Sequence, residues 1–396
     1  MHQQAPLSAY TRQMGRAQVN RKGTPPAASL VLLVFVVVAC APARSSAPAP
    51  QVSPPAASAA SPSPATPAKP ELPVTPPIRL NVGILPLASG GPLFIADARG
   101  YFTEVGIAVE FTFARNYYET LPALATGQLQ VAPCSSNVGC SNALHRGTDL
   151  RIVADVQSAG RTERSRGGNG LVVRKDLWDQ GVIRWPQDLV GRTVYLIAGE
   201  GTAQHAHVVR WLRRHGVDPR AVEWGSMPPA DQLVAMGNRA IEVGYLSEPI
   251  TAAALGRDAV RFLATMEEMT PDAQTLYLMY NAGIDRLGPR VGERFMVAYL
   301  RGARDQINAF EYGIDQDAII DILTGYTAIK DPAVYHQIKY PWIDPNGRVN
   351  LAALQDDADL FYELGLLKEP VDLSVVFEPK YAEFAVKYLG EYHPPH

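Results

Sequence analysis

From residue 78 onward, short apolar runs alternate with amphipathic stretches, and the whole alternation begins again after residue 170. The first pass predicts strands over 78–85, 107–113, 129–132 and 151–156, with helices over 92–99, 117–126 and 137–145 between them. The second predicts strands over 193–197, 221–224, 241–246 and 260–263, with helices over 202–215, 229–237 and 249–256. Short buried strands separated by helices belong to α/β units whose sheet is largely parallel. A loop rich in Gly, Arg and Ser (160–170) parts the two passes, and 396 residues are too many for one compact core. The run 275–280 is apolar again and carries the chain back to the first unit. Beyond it the pattern is helical: 289–313, 315–326, 332–337, 351–364 and 379–389. A tail of that length packs on the first unit. The expected organisation is therefore a first lobe of 78–175 plus 270–396 and a second of 176–269. Two crossings of the chain leave a hinge and a cleft over the carboxyl ends of both sheets, where ligands of open α/β sheets sit.

The amino-terminal 77 residues differ in kind. Arg12, Arg16, Arg21 and Lys22 precede an apolar run, 27–39, that is short for a membrane span and stops at Val38-Ala39-Cys40. This order reads as an export signal over 1–39, and the ending resembles the bacterial lipobox, which implies that Cys40 is the diacylated first residue of the mature protein. An uncleaved anchor is the alternative, and Met14 would give a more typical basic lead than Met1. Residues 41–77 contain twelve Pro and only three charged side chains, Arg44, Lys69 and Glu71. Such a stretch forms an extended tether rather than a domain. The expected location is the outer face of the cell membrane, held by lipid. The formal charge of -3 includes those four early cations, so the remainder is more acidic still and offers nothing to nucleic acid or anionic lipid.

Several segments resemble one family. Ile78-Arg79-Leu80-Asn81-Val82-Gly83, then Gly100-Tyr101-Phe102 with Val105-Gly106-Ile107, then Leu124-Ala125-Thr126-Gly127-Gln128 look like the opening of the nitrate/sulfonate/taurine class of ABC substrate-binding proteins, in its NMT1/THI5-like branch. Trp185-Pro186-Gln187-Asp188-Leu189-Val190-Gly191-Arg192-Thr193-Val194 resembles the start of that family's second lobe, and Tyr245-Leu246-Ser247-Glu248-Pro249 its "EP" turn. The likeness runs from about Ile78 to Leu389. It implies a two-lobed periplasmic-binding-protein type II fold that closes on a small molecule. It also implies a monomeric receptor that serves an ABC permease and its ATPase without cofactor or metal. One departure is Cys134-Ser135-Ser136-Asn137-Val138-Gly139-Cys140, where small and glycine-rich residues are commoner. Cys134 and Cys140 either bridge, pinning the loop at a helix start, or remain buried thiols held apart by continuous helix.

The loops at the strand ends, 86–91, 115–118, 134–137, 199–202, 224–227 and 245–248, supply the candidate ligand contacts: Ser89, Tyr117, Tyr118, Ser135, Asn137, Glu200, Thr202, Trp224, Tyr245 and Glu248. Three of these sets open helices, where first-turn N–H groups and a short polar side chain meet an acceptor. The plain alternative makes Ser89, Ser135 and Thr202 ordinary N-caps, Glu248 the cap of the helix after it, and any one aromatic a core residue. Only Arg115 is cationic in these loops, against the acids Glu200 and Glu248. Aromatic faces plus acceptors favour a planar heteroaromatic ligand bearing N–H groups. Among ligands of related receptors, riboflavin fits best, and the overall pattern also resembles riboflavin-binding lipoproteins of green non-sulfur phototrophic bacteria. A thiamine pyrimidine precursor, formylaminopyrimidine or hydroxymethylpyrimidine, is the alternative, as is a sulfonate- or nitrate-like anion.

Catalysis has little support. A distant relative of this branch makes the thiamine pyrimidine with a Cys-rich, His-containing motif, whereas His205 and His207 lie two apart, on different faces of their helix, with no Cys beside them. No HExxH, GxSxG or CxxC pattern is present, and no phosphate-binding loop of an ATPase.

Overall fold

The computed structural model describes residue 72 and residues 76–395, so Cys40, the apolar run before it and nearly all of the tether lie outside the described residues. The described residues belong to one compact unit. The described strands are β1 (Ile78–Ile84), β2 (Ile107–Phe113), β3 (Val131–Ser135), β4 (Leu150–Ser158), β5 (Gly170–Arg174), β6 (Thr193–Leu196), β7 (Glu223–Ser226), β8 (Val243–Leu246), β9 (Val260–Thr265) and β10 (Gln274–Asn281). They form two five-stranded sheets, ordered β2-β1-β3-β10-β4 and β7-β6-β8-β5-β9. The chain passes between them twice, after β4 and after β9.

Neither sheet is as parallel as the alternation suggested. β1 runs parallel to β2 and β3, but β10 lies antiparallel to both β3 and β4. In the second sheet β6 is parallel to β7 and β8, while β5 is antiparallel to β8 and β9. β5 corrects the sequence reading, which left residues 170–174 with the first lobe. Its Leu171, Val172 and Val173 are wholly buried between two strands of the second sheet, and five residues led by a glycine carry too little pattern to be read alone.

The first sheet is covered largely by the tail. Helix Val291–Tyr312 buries Val291, Phe295, Ala298, Tyr299 and Leu300 in the same apolar cluster as Leu80, Val82 and Ile84 of β1 and Phe94 of helix Gly91–Ala98. The two helices cross tightly at Gly302, where a Cβ would sit 2.1 Å from the Pro92 carbonyl oxygen. Arg294, buried on the same helix, donates from Nε and Nη2 to the carbonyls of Val105 and Gly106, each at 2.6 Å, so its charge is spent on main-chain acceptors rather than on a ligand. The second sheet has its own cores, Leu171, Val194, Leu196, Val208, Leu212 and Tyr245 on one face, and Val172, Met236, Leu246 and Ile250 on the other. Among the described residues no helix is long and apolar enough to cross a membrane.

Candidate functional site

The loop after β3 meets the loop after β6, and the two lobes touch there. Val138 donates its N–H to the Gly201 carbonyl at 2.9 Å, and Asn137 and Thr202 form an antiparallel bridge across the same gap. The facing edges are therefore closed on one another.

Five of the sequence-derived residues lie on the first-sheet side. Ser89 Oγ and Tyr117 Oη lie 3.0 Å apart, joining the loops after β1 and β2. Burial pushes the Tyr117 phenol up to about 12, so it stays protonated. In the loop after β3, Asn137 is fully buried and holds the start of helix Val138–His145: its Oδ1 accepts from the Cys140 N–H at 2.8 Å. Its Nδ2 donates to Ser135 O at 2.7 Å and Ser135 Oγ at 2.8 Å, which leaves the Ser135 hydroxyl proton without an acceptor among the described residues. Tyr118 is half-buried beside Gly139, whose Cβ would come within 3.0 Å of the Tyr118 ring; burial raises its phenol to about 12 as well. Cys134 and Cys140 are bridged, with Cα atoms 6.7 Å apart. The helix begins only at Val138, so continuous helix does not hold the two sulfurs apart, and the bridge ties Asn137 between strand and helix.

The second-sheet candidates fare differently. Thr202 is buried and caps helix Ala203–Arg214, donating to Gly199 O at 2.8 Å and accepting from His205 N–H at 3.4 Å. Glu200 is exposed. Trp224 sits edge-on to His205, with ring centroids 4.6 Å apart. Tyr245 lies in the second core, 2 % exposed, with its hydroxyl 3.5 Å from His207 Nδ1; it is a packing residue at this depth. Glu248 follows the plain alternative. Its Oε2 accepts from Ala252 N–H at 2.9 Å, in the first turn of helix Ile250–Gly256, and its Oε1 from Lys339 N–H at 3.0 Å. Both oxygens are used by main chain, and burial raises its pKa to about 8. The Glu248–Pro249 peptide is cis.

Burial lowers His205 to about 4 and His207 to about 3, so both are neutral at physiological pH. Among the described residues no group of three or more His, Cys, Asp or Glu could hold a metal ion. A surface cavity of about 540 Å³, lined by Leu351, Gln355, Asp359, Val371, Asp372 and Ser374, contains none of the candidate residues. Sequence reasoning missed Ser136, Arg210 and Asp357. The Ser136 side chain lies beside Asp357 and favours its charged form, and Arg210 Nη1 donates to Asp357 at 2.5 Å. Only the position of Ser136 in a candidate loop hinted at this.

The sequence matches the family described as NMT1/THI5 like over residues 89–309. Among solved structures it is similar to the alkanesulfonate-binding protein SsuA from Xanthomonas axonopodis pv. citri bound to MOPS, at 17 % identity over 77 % of this chain and 100 % of that one, with a TM-score of 0.61. It is also similar to the periplasmic nitrate-binding protein NrtA from Synechocystis PCC 6803, at 16 % identity over 79 % and 89 % of the two chains, again with a TM-score of 0.61. These likenesses give the architecture: a two-lobed α/β fold of the type II periplasmic-binding-protein kind. A curated relative is the bicarbonate transport ATP-binding protein CmpC of Synechocystis sp., 24 % identical over 187 residues, covering 43 % of this chain and 26 % of that protein. The chain spans about a quarter of the length of the curated relatives it matches.

Proposed function

Because the chain belongs to the NMT1/THI5-like family, we propose that it is the non-catalytic, extracytoplasmic solute-binding component of an ABC importer, and that its solute is small, polar and rich in acceptor oxygens. It is tethered to the membrane through lipid on Cys40, closes its two lobes about the segments after β4 and β9, and hands the solute to a permease powered by a separate ATPase. The alkanesulfonate- and nitrate-binding neighbours and the bicarbonate-transport relative support an anion of that kind.

The observation that carries the ligand class is the balance of donors and acceptors at the facing edges. Ser89 and Tyr117 share one hydrogen bond between two hydroxyls, so one proton remains for a ligand. The Ser135 hydroxyl has another. Helices Gly91–Ala98 and Val138–His145 start at the same edge, where the positive end of the helix dipole favours negative charge. The acceptors that would have favoured riboflavin or a pyrimidine are spent or remote: Glu248 is filled by two main-chain donors and Glu200 is exposed. Tyr245 is removed from the aromatic set by its place in the core. Tyr117, Tyr118 and Trp224 remain, enough to flank a short organic substituent.

Titration calorimetry and native mass spectrometry of the purified protein, run with methanesulfonate, nitrate, bicarbonate, riboflavin and hydroxymethylpyrimidine, test this reading. Saturable binding of at least one of the three anions is expected. Saturable riboflavin or pyrimidine binding with no response to any anion would overturn the ligand class.

A further inference from the structure

Helix Ala203–Arg214 of the second lobe shares a buried apolar cluster with helices Val138–His145 and Leu351–Glu363 of the first. Ala206 and Val209 belong to the same buried apolar cluster as Leu144, Leu354, Ala358 and Phe361. The second lobe is thus seated in a first-lobe core by apolar contact, before any solute is considered.

A charge pair is set into this seam. Arg210 Nη1 donates to Asp357 Oδ1 at 2.5 Å, and the Asp357 side chain is 4 % exposed against 23 % for Arg210. The Ser136 side chain lies beside Asp357 and favours its charged form, and Ser136 sits between the two candidate contacts Ser135 and Asn137. An outer pair, Arg213 with Glu363 at 3.1 Å, lies on the same helices but in solvent and adds little.

We propose that Arg210 and Asp357 form a latch by which the protein holds its own lobes closed, so that closure does not wait for the solute. Parting the lobes would strip the acid of its cation and open the apolar seam to water. The pair matters through what its loss would do: a carboxylate buried without its cation strongly disfavours the state that buries it, whereas replacing both members by apolar residues is close to neutral. The inference rests on reading the facing sheet edges as the ligand cleft, but its test needs no ligand.

Labels on Val234→Cys in the second lobe and Val375→Cys in the first, both exposed in this structure, report the inter-lobe distance in solute-free full-length protein by electron–electron resonance. The expected result is a single short distance for the otherwise wild-type chain. With Arg210→Ala the closed-to-open ratio should fall by roughly a hundredfold, so that a longer distance dominates. With Arg210→Met and Asp357→Leu together the short distance should return. A solute-free wild-type protein already at the long distance would overturn the proposal, as would Arg210→Ala left at the short one, or a double variant as open as the single. Melting curves of all variants separate opening from unfolding. Failure to bind any anion would sink the ligand class and leave this result standing.

Discussion

Glu248 accepts the backbone N–H of Lys339 at 3.0 Å, 91 positions further along the chain, while its other oxygen accepts from Ala252 at 2.9 Å. One carboxyl group thereby fixes the turn after β8 to the tail that returns from the first lobe.

Glu248 has a testable pH signature. Burial raises its pKa from 4.5 to about 8 in the folded chain, with the two backbone hydrogen bonds opposing the shift. A raised folded value means a contribution to stability that is complete below about 4.5 and lost as pH rises toward 8. Glu248→Gln should cost about 1–3 kcal/mol, because its amide NH₂ meets a donor where an acceptor stood. It should also flatten the stability profile between those limits. Urea unfolding at intervals of pH measures both, and an unchanged slope would remove Glu248 as the titrating group.

Tyr117 and Tyr245 should separate cleanly. Tyr117→Phe removes one of the two hydroxyls paired at Ser89 and should weaken the bound solute about tenfold, the equivalent of about 1.4 kcal/mol. Tyr245→Phe loses a long contact to His207, costs about 1 kcal/mol of stability or less, and leaves affinity unchanged. Calorimetry on both variants decides. Equal losses of affinity would return Tyr245 to the site.

The Cys134–Cys140 bridge closes a short loop, with a sequence separation of 6. Cys134→Ala with Cys140→Ala should lower stability by about 2 kcal/mol on loop-closure grounds. Reductant should destabilise the wild type by a similar amount and leave the double variant untouched. Denaturant titrations with and without dithiothreitol check this.

Cys40→Ser should release the protein from membranes or leave it unprocessed, since acylation needs the thiol. Fractionation with mass spectrometry of the amino terminus reads the outcome. A membrane-bound native protein whose Cys40 carries no lipid would defeat the anchor.

The two lobes were legible because their strands are short, apolar and regularly spaced. β2 falls on residues 107–113 and helix Pro229–Gly237 on 229–237, as the pattern predicts. β5 was not, because a strand flanked on both sides owes its existence to β8 and β9 rather than to its own alternation. The same physics hid the depth of Tyr245: all four residues of β8 are buried, so period-two patterning carries no information about which one points at a ligand. Glu248 looked free because its second partner, Lys339, arrives from the far end of the chain. By contrast Ser89, Tyr117, Ser135 and Asn137 lie where the topology put them, at the ends of adjacent parallel strands. Their mutual hydrogen bonds, which decide how many donors remain, come only from three-dimensional proximity.

The position of β10 sets an order on assembly. This strand is the last to be synthesised of either sheet, yet it lies between β3 and β4, pairing with both. A nascent chain that has emerged as far as residue 270 holds every strand of the second sheet but only the flanks of the first. Until β10 arrives, β3 and β4 present unpaired edges, the kind of surface that recruits strands from other chains. The second lobe can therefore ripen before the first, although it is encoded inside it, and protection of the early strands falls to whatever accompanies the chain during synthesis.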